Sequence, residues 1–294
     1  MSFLKHCDDT PQAISIKHRL RNKANEQNRL FNDLLQQYVI ERFLYRLSIS
    51  EYRGIFVLKG ALMFVALEMS TMRPTRDIDL LGYTANSPDN ISRIFREICV
   101  CRVENDDGVY FDPDSIKVVD ITKGAAYTGK QVKLKACLGK ARIPLQVDIG
   151  FGDVLASAPQ EMVFPALLPR LPAPRIRGYP VEAIIAEKVE VMLRYGTINT
   201  RMKDFYDVWM LTKEIGICEG ALKQALRATF RHRGTRIPRD VPVAWTSAFA
   251  KEKARAWQAF LKRSRLQAPS LEEVAQQLQS TLWPCLQSIA EIQT

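Results

Sequence analysis

The chain has 294 residues, of which 47% are hydrophobic and 25% charged, and it carries a formal charge of +10. That composition excludes a disordered, collagenous or coiled-coil chain, and the length suits two domains or one large domain with an appendage. The cationic excess is a statement about partners and points to a polyanion or an anionic small molecule.

The first residues, MSFLKHCDDTPQ, are polar and lack the apolar core of a signal peptide. No apolar run approaches the roughly 18 residues of a membrane span. A cytoplasmic protein with no membrane partner is therefore expected. The six cysteines are scattered without a C-x-x-C pair, and only three histidines accompany them. This argues against structural zinc and fits free thiols in a reducing compartment.

Residues 14–47 read as helix, with Leu30, Leu34, Leu35, Val39, Phe43, Leu44 and Leu47 at helical spacing. Residues 55–59 (IFVLK) form a short apolar run into Gly60, either a strand or the start of the helix expected at 61–69; a strand entering a Gly turn is favoured. In RPTRDIDLLGY, residues 73–83, Ile78 and Leu80 alternate with Asp77 and Asp79. Period 2 predicts a strand with both carboxylates on one face, about 6–7 Å apart. A helix follows at 90–99, capped by Ser87 or Asp89. Strands are expected at 118–121, 131–135 and 143–149, separated by Gly-containing turns at Gly124, Gly129 and Gly139. Asp106-Asp107-Gly108 reads as a turn. The proline-rich stretch 151–180 reads as an extended connection, and helices are expected at 181–195, at 201–215 and from 219 onward, interrupted by a basic loop at 231–242.

The chemistry concentrates on carboxylates. Asp77 and Asp79 on one strand, with Asp148 from a later strand, make an oxygen-rich face of the kind that Mg²⁺ or Mn²⁺ uses together with substrate phosphates. Two such ions can activate an attacking oxygen and stabilise a leaving pyrophosphate. Lys59 and Gly60 precede a helix, where backbone N–H groups can approach a triphosphate, and Arg76 lies immediately upstream of the pair. Lys188 sits between Ile184 and Met192 on its helix, so it must snorkel, pair or serve a site. Asp204 and Asp207 share a helix face one turn apart.

These residues carry a resemblance. Lys59-Gly60-Ala61, Arg73-x-Thr75-x-Asp77-x-Asp79, Glu187-Lys188 and Arg201-x-Lys203-Asp204-x-x-Asp207 resemble the AbiEii/AbiGii toxin family, which includes the MenT toxins, within the DNA polymerase β-type nucleotidyltransferase superfamily. The departure is Ala61, where the superfamily usually has Gly or Ser. The resemblance implies an α/β (α+β) protein with a nucleotidyltransferase-fold mixed β-sheet in residues 1–180. A helical part, 181–294, would complete the active site. It implies transfer of a nucleoside monophosphate from an NTP to an RNA, with the tRNA 3′ end as acceptor, and a cognate antitoxin as partner. Asp77, Asp79 and Asp148 would be the metal set. Lys59, Gly60, Arg76 and Lys188 would bind the nucleotide. Asp204 would orient or deprotonate the acceptor hydroxyl, with Asp207 in support. The other readings are a non-catalytic nucleotide-binding regulator, and a nucleotidyltransferase or kinase acting on a protein or small molecule.

Residues 221–266 contain twelve Lys or Arg against Asp240 and Glu252, which accounts for the whole charge excess. This block is either a solvated face or an RNA footprint, with Arg231, Arg233 and Arg236 as the named contacts. Trp245, Phe249, Trp257 and Phe260 within it read mostly as helical core.

Overall fold

The computed structural model describes residues 3–69, 75–122 and 128–290. Two compact units emerge: residues 1–152 with 160–178, and residues 153–159 with 179–294. The chain thus enters the second unit, returns to the first for one hairpin, and leaves again. Arg73 and the turn expected at Gly124 lie outside the described residues.

The first unit is a mixed seven-stranded sheet with helices on its apolar face. Its strands are β1 (Phe56–Lys59), β2 (Asp77–Gly82), β3 (Val109–Thr122), β4 (Thr128–Leu138), β5 (Ala141–Phe151), β6 (Gln160–Val163) and β7 (Arg175–Gly178), in the order β3-β4-β5-β2-β1-β7-β6. The pairs β2–β5 and β1–β7 are parallel and the rest antiparallel. Helices α1 (Pro11–Glu26), α2 (Phe31–Ile49), α3 (Leu62–Ala66) and α4 (Pro88–Cys99) complete the unit. Apolar alternation on β2 and β5 buries Ile78, Leu80, Val147 and Ile149 and turns Asp77, Asp79 and Asp148 to the other face. Phe43 of α2 and Phe95 of α4 meet Phe56 and Phe111 over the buried side, with ring centroids 5.6–5.9 Å apart. Of the two proposed caps for α4, Ser87 accepts the Asn90 N–H.

Four expectations are corrected. The single helix at 14–47 is two, α1 and α2, because Asn28 adopts a left-handed conformation (φ 49°) that ends the first. Gly129 lies inside β4 rather than in a turn. The proline-rich connection contributes β6 and β7 to the sheet. It is pinned to α2, where the buried Glu41 accepts the Leu167 N–H at 2.7 Å and Arg42 donates to the Pro172 carbonyl at 2.9 Å. Finally, Cys7 and Cys137 form a disulfide, so the cysteines are not all free thiols. The Asp106-Asp107-Gly108 turn is structural: Arg46 grips the buried Asp107 carboxylate through two nitrogens, at 2.7 and 3.0 Å.

The second unit is helical: α5 (Val181–Tyr195), α6 (Met202–Glu214), α7 (Glu219–His232), α8 (Ser247–Ser264) and α9 (Leu271–Ala290). Its core gathers Tyr206, Trp257 and Phe260, while Phe205 stacks on Phe249 at 5.6 Å. Trp245, Phe249, Trp257 and Phe260 are all buried, so the aromatics of the basic block are core. At the entry to this unit the Tyr179 hydroxyl donates to Asp153 at 2.9 Å, tying the two chain crossings together. No helix among the described residues is long and apolar enough to cross a membrane.

Candidate active site

In the first unit, strand register builds a transverse row. Lys59 of β1 lies opposite Asp79 of β2, Asp79 is beside Asp148 of β5, and Asp148 faces Gln131 of β4. Residues in register share a face, and adjacent strands lie about 4.8 Å apart, so one lysine, two carboxylates and one amide stand side by side. Asp77 extends the row along β2, beside Gln146. Asp77 is exposed and Asp79 and Asp148 are half-buried.

Gly60 closes this row at the end of β1. Its φ is +69°, which disfavours any side chain. A Cβ at this position would stand 2.2 Å from Asp79 Oδ2. The Asp79 carboxylate therefore occupies the space that a side chain at position 60 would fill. Glycine is required here for conformation and for contact alike. Ala61, which follows, is buried and caps α3 with no side-chain hydrogen bond.

Asp148 is oriented by two amides: Gln131 Nε2 donates to its Oδ1 at 3.0 Å and Gln146 Nε2 at 3.3 Å. Sequence reasoning missed both glutamines. The available signal was that Gln146 stands two residues before Asp148 on one strand and so shares its face. Arg76 is highly exposed and lies 3.7 Å from the Asp33 carboxylate. Among the described residues no three His, Cys, Asp or Glu side chains converge as a ready-made metal cage. The donor set still suits Mg²⁺, which typically binds through one or two carboxylates plus substrate phosphates. Asp77 and Asp79, on one strand face, supply that minimum.

In the second unit, Lys188 of α5 reaches two carboxylates of α6. Its Nζ donates to Asp204 Oδ1 at 2.9 Å and to Asp207 Oδ2 at 2.7 Å. Arg201 Nε donates to the other oxygen of Asp204 at 2.6 Å. Both carboxylates are only 1% exposed and Lys188 is 14% exposed. Of the alternatives for Lys188, the structure shows pairing. For Asp204, burial pushes its pKa up, but the charges and hydrogen bonds of Lys188 and Arg201 outweigh burial and bring it down to about 2. A depressed carboxyl contributes stability that is present above the ordinary value near 3.8 and lost as pH falls through about 2. Between pH 4 and 2 the wild type should lose about 2 kcal/mol more stability than Asp204→Asn, read from urea midpoints. Parallel pH profiles would refute this coupling.

Two residues further along α5, Glu190 is fully buried and accepts from Arg233 Nη1 at 2.7 Å and from Thr235 Oγ1 at 2.6 Å. Arg233 also approaches Glu187 at 3.5 Å. Arg233, expected on the RNA face, is thus held in an internal ion-pair cluster, while Arg231 and Arg236 are exposed as expected. Nine of the twelve cations in residues 221–266 are exposed.

The first unit thus sets a Lys-Gly turn against an Asp-x-Asp strand, and the second holds a lysine between two aspartates. The family model described as nucleotidyl transferase AbiEii toxin, type IV TA system, matches residues 42–280, and the chain belongs to that family. Membership implies use of a nucleoside triphosphate and an antitoxin partner. Among solved structures, JHP933 from Helicobacter pylori is similar at 16% identity and a TM-score of 0.47, over 89% of this chain and 94% of that one. A candidate nucleotidyltransferase from H. pylori is similar at 14% identity and a TM-score of 0.47, over 89% and 97%. No curated protein matches.

Proposed function

We propose that this toxin is a metal-dependent nucleotidyltransferase that moves a nucleoside monophosphate from an NTP to an RNA hydroxyl, with the tRNA 3′ end as acceptor, thereby blocking translation in the cytoplasm. The observation that carries the reading is the close seat of Asp79 against the bare backbone of Gly60. It sets a carboxylate directly against a glycine backbone turn at one point of the sheet.

In this reading the acceptor oxygen attacks the α-phosphorus, a new P–O bond forms, the bond to pyrophosphate breaks, and the hydroxyl proton passes to solvent. Asp77 and Asp79 hold the divalent ion, Mg²⁺ or Mn²⁺, and Asp148 supports them from the next strand. When bound, the ion neutralises phosphate charge. Lys59, Gly60 and Arg76 receive the triphosphate. Lys188, fixed by two carboxylates, is a positioned point charge for phosphate. Asp204, with a pKa near 2 and two cations on it, is a poor proton acceptor at neutral pH. Orienting Lys188 is therefore its role, and Asp207 shares it. Catalysis is mainly positioning and charge stabilisation.

Incubation with each labelled NTP and a tRNA pool tests the reading. Label should appear in RNA with release of pyrophosphate, only when a divalent ion is present, and mass analysis should find an added nucleotide. An added phosphate, label on protein, or nucleotide binding without turnover would overturn it.

A further inference from the structure

The loop that follows α7 forms one wall of a cleft of about 340 Å³ in the second unit, whose opposite wall includes Leu193 and Gly196 at the end of α5. A volume of this order lies within the range of ligand-binding clefts. The loop is anchored at its root, because Glu190 holds both Arg233 and Thr235. Pro238 and Pro242 restrict its backbone further on. Two exposed arginines of this stretch, Arg236 and Arg239, line the cleft, with Asp240 as the one opposing carboxylate among the described lining residues.

The remaining lining is aliphatic or polar and uncharged, and among the described residues no aromatic ring lines the cleft. Stacking on bases is therefore not what it is built for; two cationic forks beside an apolar wall suit a sugar–phosphate backbone. The same unit exposes seven further Lys or Arg within residues 221–266, which favours a polyanionic strand over a free nucleotide.

We propose that this cleft binds a single-stranded segment of RNA through its phosphodiester backbone, with Arg236 and Arg239 on the phosphates and Glu190 as the residue that positions their loop. The inference rests on the RNA-acceptor reading and assigns it an address. Because the recognition is of backbone, binding is tolerant of sequence and strongly dependent on salt.

The test uses the full chain, a labelled single-stranded RNA oligonucleotide and a labelled NTP. The pair Arg236→Gln/Arg239→Gln should weaken RNA binding about tenfold or more and lower the salt slope by about 1.4, at roughly 0.7 for each phosphate no longer neutralised. NTP binding should not change. The pair Arg263→Gln/Arg265→Gln removes the same charge elsewhere in the basic block and should weaken RNA binding far less. Equal losses in the two pairs, or a parallel loss of NTP binding, would overturn the cleft assignment while leaving the RNA-acceptor reading intact. Failure of the wild type to bind the oligonucleotide would overturn the cleft assignment, and failure to bind a tRNA pool as well would overturn both.

Discussion

Replacing Asp79 by Asn should reduce nucleotidyl transfer by about 10²-fold or more while the protein stays folded. The substitution keeps the shape that packs on Gly60, where Asp79 Oδ2 fills the space of a missing Cβ. What it removes is one negative charge from a row in which Lys59 and Asp148 are the neighbours. The measurement is labelled-NTP incorporation alongside a thermal melt. A melt within a few degrees of wild type together with lost transfer assigns Asp79 to chemistry. Transfer within a few-fold of wild type would remove Asp79 from the metal set.

Replacing Lys188 by Met should abolish transfer and also destabilise the helical unit by about 3–5 kcal/mol, because removing one partner of a buried ion pair strands the other. Asp204 and Asp207 are both 1% exposed and both accept from this ammonium. Two causes are mixed in the single variant, and a second separates them. Lys188→Met with Asp207→Asn removes part of the stranded charge, so urea unfolding should show part of the stability regained. Transfer should stay lost, since no positive charge returns for the phosphates. Recovery of transfer in the double variant would make Lys188 a packing residue only.

Much of the carboxylate row in the first unit was legible because it depends on short-range rules. Alternation around Ile78 and Leu80 placed Asp77 and Asp79 on one face, and helical spacing placed α5 at the bounds observed. What was not legible depends on partners far along the chain. Six prolines between 151 and 180 disguise two short strands, because β7 fits between Pro174 and Pro180 and pairs with a strand more than a hundred residues earlier. Arg233 looks like any other residue of a basic run, since the glutamate that takes it inward is 43 residues away. The break between α1 and α2 turns on one asparagine with positive φ, flanked by apolar spacing that continues on both sides.

The sheet order has a consequence for how the protein is made. Strand β1 lies between β2 and β7, so one of its hydrogen-bonding edges waits for a partner that ends 119 residues later, at Gly178. At roughly 5–20 residues per second of synthesis, that edge stays open on the ribosome for about 6–24 s. During this interval an apolar strand, Phe56-Val57-Leu58, offers unpaired backbone groups to any neighbouring chain. A nascent chain interrupted before residue 178 would carry the whole Asp-x-Asp strand yet remain an aggregation template, so the toxin's central sheet can close only after the proline-rich stretch through Pro174 has been translated.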